Sequence, residues 1–131
     1  MATRVVLSDD IKQKLAPWYP RDVLDSLRVL RGSVFGAVYG RLGQGAITVN
    51  GTVHLTRNAQ DLASNAGVSL LAHELFHVLQ ERDDGWWRYL ARYLWHWRPR
   101  HLTRGIEHPM ERAAYARGYE VRTALDARTE G

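Results

Sequence analysis

The chain of 131 residues has no cysteine, which excludes a disulfide framework and a metal site built from thiolates. It has no run of about 18 apolar residues, the length that a membrane-spanning helix needs. Before Ser8, the only apolar run is Val5-Val6-Leu7, which is too short for the core of a secretory signal peptide. We therefore expect no transmembrane segment and a cytoplasmic location.

Lysine is also scarce, since 16 of the 18 basic residues are arginine; the net charge is +4. A basic chain of this kind could bind nucleic acid or an anionic membrane. The basic residues extend from Arg4 to Arg128 and are densest between Arg82 and Arg104, without a compact nucleic-acid motif. We interpret them as a solvated surface rather than a dedicated polyanion site.

The rest of the composition is typical of one globular domain that spans residues 1–131. Hydrophobic residues make up 45% of the chain and charged residues 24%, values that exclude a disordered tail. A chain of this length can bury roughly two-thirds of its unfolded surface in a single core.

The segment His73-Glu74-Leu75-Phe76-His77 is an HExxH motif. Two histidines four residues apart on a helix project from one face, so both imidazoles can reach one zinc ion at about 2.0–2.1 Å. Glu74 would lie beside the ion as general base for a water whose pKa zinc lowers toward about 7. The motif predicts a zinc metallopeptidase that hydrolyses peptide bonds in a peptide or protein substrate.

The residues around the motif predict the helix that it needs. Between 66 and 82, apolar residues recur at three, four and seven positions, while His73, His77 and Gln80 fall on another face. HExxH also arises by chance, so the alternative is two ordinary histidines on an amphipathic helix.

A catalytic zinc needs a third protein ligand, and without cysteine this must be His, Asp or Glu. Glu111 is the best candidate, because Pro109 suits the first position of a helix that would carry it. Glu111 could instead be a first-turn glutamate that caps this helix. His108 is the alternative ligand, and His101 is less favoured.

Tyr115 follows Glu111 by one helical turn, next to a small residue, Ala114, that allows two helices to approach closely. The hydroxyl of Tyr115 could orient a ligand histidine. Tyr115, His108 and His101 are also candidates for the hydrogen-bond donor that stabilises the oxyanion.

The other elements predict an α+β fold. Asn50-Gly51 is a strong hairpin signal between two β-rich segments. Trp86 to Trp97 is crowded with tryptophan, tyrosine and arginine at helical spacing; it could form a core helix, lie in a membrane interface, make a dimer contact or roof the cleft. The predicted helices cover 8–16, 21–26, 33–42, 66–82, 86–97 and the region from 109 onward; the predicted strands cover 27–31, 46–50 and 52–56.

Two stretches of the sequence resemble a known family. The run from Gly45 to Leu55 and the string Leu70-Leu71-Ala72-His73-Glu74-Leu75-Phe76-His77-Val78-Leu79-Gln80 resemble the bacterial extracellular contractile injection system core domain. The resemblance covers residues 27–82 well and 107–117 more loosely.

The resemblance implies a zincin-like single domain of the gluzincin type: a small twisted sheet with a hairpin, packed on the HExxH helix and a C-terminal helix. It implies that His73, His77 and Glu111 bind zinc and that Glu74 is the general base. It also implies that Thr52 to Thr56 borders the cleft. Thermolysin-like enzymes have an aspartate four residues after the ligand glutamate, where this chain has Tyr115. Export by an injection apparatus would need no cleavable signal.

Two other functions remain open. One is a zinc-binding docking module of a larger assembly, with weak or no catalysis. The other is a basic metallopeptidase that acts on DNA-bound proteins, with a histidine in place of Glu111 as ligand. The sequence does not identify the substrate or the oligomeric state.

Overall fold

The computed structural model describes residues 2–102 and 107–130. This part of the chain is a small mixed α+β domain in which helices pack against a four-stranded sheet. The strands are β1 (Thr3–Arg4), β2 (Arg28–Arg31), β3 (Ala46–Val49) and β4 (Thr52–Leu55). The helices are α1 (Asp9–Leu15), α2 (Arg21–Ser26), α3 (Val34–Arg41), α4 (Asn65–Asp84), α5 (Trp86–His96) and α6 (Pro109–Glu130), with a 3-10 turn at Pro99–Leu102.

The strand order is β1-β2-β4-β3, which places β4 inside the sheet. Asn50 and Gly51 join β3 to β4 with φ angles of 47° and 79°, as the predicted tight hairpin requires. The crossover through α3 then brings β4 parallel to β2. In the part of the chain that the structure describes, no strand pairs with the outer side of β3.

The expectation that Thr52 to Thr56 borders the cleft is therefore wrong. Val53, His54 and Leu55 are consecutive and all buried, so β4 is covered on both faces. β3 alternates between buried and half-buried residues. β4, which is covered on both faces, lies inside the sheet, and β3, in which burial alternates, forms its edge.

Helix α4 lies at the centre of the fold. Ser64 caps its first turn by accepting a hydrogen bond from the Gly67 N–H. Four apolar residues, Val68, Leu71, Leu75 and Val78, are at most 3% exposed and form one face of the core. A side chain at Gly67 would place its Cβ 1.9 Å from the Asp61 carbonyl oxygen, so this start of the helix requires glycine.

Helix α6 packs along α4 through small residues. Ser69 donates a hydrogen bond of 2.7 Å to the Gly118 carbonyl oxygen, and Ala114 is fully buried. Because the two helix axes can approach closely at these residues, the first turn of α6 lies beside the histidines of α4. Over the described residues, none of the helices has the length and hydrophobicity needed to cross a bilayer.

Helix α5 forms where the aromatic segment predicted a helix, but it is not a core helix. Tyr89 is its one buried residue, whereas Trp87 and Trp95 are 78% and 79% exposed. The helix lies on the surface and turns its Tyr89 side toward α4.

Candidate metal centre

His73 and His77 stand on successive turns of α4, with ring centroids 5.0 Å apart. Glu111, in the first turn of α6, reaches both rings. Its Oε2 lies 3.2 Å from His73 Nε2 and its Oε1 lies 2.7 Å from His77 Nε2. The structure thus brings together the three residues that the sequence predicts as ligands, from two helices.

These three residues could hold a metal ion. One donor atom of each lies within 4.8 Å of the others. His77 Nε2 is buried and makes no well-directed hydrogen bond, although Glu111 Oε1 lies 2.7 Å away. Buried polar atoms normally have a partner, and a metal ion would supply one here. Two imidazoles and a carboxylate suit a divalent transition-metal ion.

In the metal-free cluster, the pKa shifts favour a protonated His77 beside an ionised Glu111. Burial alone lowers the pKa of His77, but the Glu111 carboxylate close to its Nε2, together with the charge of Glu74 and the contact with Gln80, raises it to about 9. Burial raises the pKa of Glu111, but its contacts with His73 and His77 hold it well below its usual range. A metal ion would replace the proton that the metal-free pair shares, so binding would release protons.

Glu74 is 4% exposed and lies on the same helix between the two histidines. Its Oε2 accepts a hydrogen bond of 2.6 Å from the Thr48 hydroxyl on the edge strand β3. Sequence reasoning missed Thr48, because this contact joins residues 26 positions apart and no spacing rule links a hairpin to a helix.

Each histidine also has neighbours other than Glu111. His77 Nδ1 lies 2.9 Å from Gln80 Oε1 and 3.2 Å from the Tyr89 hydroxyl. The ring of Tyr115 packs edge-on against His73, with centroids 4.5 Å apart. Tyr115 therefore lies beside His73, and the predicted role of its hydroxyl stays a prediction. The contacts of Gln80 and Tyr89 were not foreseen, although Gln80 ends the string that carries the family resemblance.

His108 and His101 lie outside the three-residue cluster. His108 is fully buried; its Nδ1 accepts from the Met110 N–H at 3.1 Å, and its Nε2 bonds to the Tyr93 carbonyl oxygen at 2.9 Å. Both ring nitrogens are thus engaged by the backbone, and His108 caps the start of α6. His101 Nδ1 accepts from the Arg98 N–H.

A cavity of about 630 Å³ opens beside Glu74 and the three residues of the cluster. One wall is α5, which contributes Trp86, Tyr89, Leu90, Tyr93 and Leu94; the other walls come from α3 and β3. A smaller cavity of about 360 Å³ extends on the other side of His73 toward Arg122. His73 and Glu74 line both, so one cleft crosses the cluster, and α5 roofs its larger half.

A family model described as the eCIS core domain matches residues 6–85. Neither the curated proteins nor the solved structures include a match. The family match contains all of residues 27–82 and ends at the residue between α4 and α5, before residues 107–117. It covers more than half of the chain, and the chain therefore belongs to the eCIS core domain family.

Proposed function

We propose that this domain is a zinc-dependent metallopeptidase, a hydrolase with a zincin-like, gluzincin-type centre. The observation that carries the proposal is the convergence of His73, His77 and Glu111 from two helices, with the Glu74 carboxylate beside them in an open cleft. Two histidines and one carboxylate form a zinc ligand set that leaves one coordination position for water or substrate.

Zinc, when bound, supplies a water of lowered pKa and polarises the scissile carbonyl group. Glu74 takes the proton of the attacking water and passes it to the leaving amine. The bond from Thr48 holds the Glu74 carboxylate in one position. Burial, and then the charges of Glu111 and Glu74, raise the pKa of Tyr115, so this hydroxyl keeps its proton and can donate to the oxyanion.

The cleft suits an extended peptide. The outer side of β3 can pair with a substrate backbone, and Ala46 to Val49 line the larger cavity. The aromatic and aliphatic side chains of α5 would accept a bulky apolar substrate side chain there. We therefore expect cleavage next to a large apolar residue in an exposed segment of the target protein.

The experiment compares zinc-loaded wild type with Glu74→Gln on a mixed peptide library read by mass spectrometry. The amide cannot take the proton, so the variant should hydrolyse about 10²–10⁴-fold more slowly and still bind one zinc. Glu107→Gln, a change of the same kind in a residue that pairs with Arg100 outside the cluster, is the matched control and should cleave like wild type.

Equal hydrolysis by Glu74→Gln would refute the assigned base. Stoichiometric zinc with no cleavage of any library member by wild type would favour the docking-module function instead.

A further inference from the structure

The Nδ1 side of the His77 ring contacts two polar groups that differ in whether they can donate a hydrogen bond. Its Nδ1 lies 2.9 Å from Gln80 Oε1 and 3.2 Å from the Tyr89 hydroxyl oxygen. A hydroxyl can donate or accept, so Tyr89 tolerates Nδ1 with or without a proton. An amide oxygen only accepts. The orientation of the Gln80 amide therefore decides which form of His77 fits.

A second contact sets that orientation. Gln80 Nε2 lies 3.3 Å from the Met110 carbonyl oxygen, which can only accept. Rotating the amide by half a turn would place the Gln80 and Met110 oxygens, both acceptors, against each other. The amide therefore presents its oxygen to His77, and His77 Nδ1 carries the proton.

A neutral imidazole has one N–H, so a proton on Nδ1 leaves the lone pair on Nε2. His77 Nε2 is the buried nitrogen beside Glu111 Oε1, at the centre of the cluster. Met110 also directly precedes Glu111, so the Gln80 amide bonds to the backbone of the helix turn that supplies the third ligand.

We infer that Gln80 is a positioning residue: it holds His77 in the Nδ1–H tautomer with Nε2 ready to bind the metal, and it ties α4 to the start of α6. This inference rests on the proposed metal centre. Hydrogen-bond partners of this kind fix the tautomer and ring orientation of ligand histidines in other metal sites, where their loss weakens metal binding by about 10–100-fold.

The first test is zinc affinity, measured by competition with a chromophoric chelator. Gln80→Leu should lose about 10–100-fold in affinity. Gln80→Glu keeps an acceptor for the Nδ1 proton but removes the donor to the Met110 carbonyl oxygen, so it should lose less affinity than Gln80→Leu. Tyr89→Phe should have a smaller effect than Gln80→Leu. Gln13→Leu makes the same change on the exposed side of α1 and should bind zinc like wild type.

The second test reads the tautomer directly. Long-range ¹H–¹⁵N NMR on the zinc-loaded protein reports which ring nitrogen of His77 carries the proton. Wild type should show the proton on Nδ1, and this proton should exchange with water faster in Gln80→Leu, which lacks the amide oxygen that accepts it. Circular dichroism of each variant checks that the fold is kept.

Wild-type affinity in Gln80→Leu, or an Nε2 proton in the wild-type protein, would overturn the inference. A larger loss in Tyr89→Phe than in Gln80→Leu would assign the role to Tyr89 instead. Zinc binding without peptide hydrolysis would refute the proposed function while leaving the role of Gln80 intact. Absence of zinc binding in wild type would refute the metal centre on which both depend.

Discussion

Helices α4 and α5 contribute to the same cleft but differ in how they are held. In α4, Leu71 and Leu75 are fully buried, and the helix supplies His73 and His77. In α5, Tyr89 is the one buried residue, and most of the other side chains are exposed. The family match ends at residue 85, between the two helices. His73 and His77 thus stand on a core helix, whereas the α5 wall of the cleft is attached to the surface of the domain. We therefore expect substitutions in α5 to alter the cleft without moving these two histidines.

Removal of a ligand should produce the largest effect and tests whether the centre depends on both α4 and α6. His77→Ala and Glu111→Ala should each weaken zinc binding by more than about 100-fold, because loss of a residue that only supports a ligand already weakens binding by about 10–100-fold. Mass spectrometry of purified protein and chelator competition measure this. Stoichiometric, tight zinc in Glu111→Ala would show that another residue, such as His108, completes the site.

The same substitution, leucine to alanine, in α4 and in α5 tests how much each helix contributes to stability. Leu75→Ala should lower the free energy of unfolding by about 2–5 kcal/mol, since Leu75 is fully buried. Leu94 is 61% exposed, so Leu94→Ala should change the free energy of unfolding by no more than about 0.5 kcal/mol. Urea denaturation of the metal-free proteins gives both values.

Leu94 also lines the larger cavity, so Leu94→Ala should raise KM for peptides with a bulky apolar residue while kcat changes little. Similar losses of stability in Leu75→Ala and Leu94→Ala would contradict the division between core and wall.

The hydrogen bond from Thr48 to Glu74 connects the edge strand β3 to helix α4, and in the proposed function it holds the general base. Thr48→Val keeps the shape but removes the donor, and kcat should fall roughly tenfold, as expected for a hydrogen bond to a charged group. Zinc content should not change. Thr52→Val, on the neighbouring strand, is the matched control. A fall in zinc affinity with unchanged kcat would mean that Thr48 supports the ligands rather than the base.

The last prediction concerns how the stability of the metal-free protein depends on pH. The pKa of His77 is raised to about 9 in the folded state, above its ordinary value of about 6.5. The stabilisation is therefore fully present below about pH 6.5 and is lost as the pH rises through about 9. Tm of the metal-free protein should therefore fall over this interval, because the folded state loses the proton that stabilises it.

Glu111→Gln removes the charge that raises the His77 pKa and should abolish most of this fall. Zinc should abolish it too, because the metal takes the place of the proton. Differential scanning calorimetry at several pH values measures Tm. The same slope in wild type and Glu111→Gln would assign the effect to a different group.

Much of the fold could be predicted because its signals are local. Ser8, Ser33 and Ser64 cap the helices that follow them, and Asn50-Gly51 forms the predicted hairpin. The predicted helix and strand boundaries lie within about two residues of the observed ones. The two-residue strand β1 and the 3-10 turn at Pro99–Leu102 were not predicted, because such short elements have no periodicity of their own.

The prediction of Glu111 used the requirement for a third ligand and a proline that begins a helix, both of which can be read from the chain. The choice between Glu111 and His108 could not be made in that way. It depends on how α6 packs on α4: the Tyr93 carbonyl oxygen and the Met110 N–H engage both nitrogens of His108, while Glu111 turns toward the histidines.

The helices, the hairpin and the HExxH spacing can be read from the chain alone, since each depends on residues a few positions apart. The position of β3 at the edge of the sheet, the contact of Thr48 with Glu74 and the meeting of Gln80 and Tyr89 at His77 appear only in the folded domain. These contacts join distant segments. They depend on strand order and on the close approach of packed helices, which local preferences do not specify.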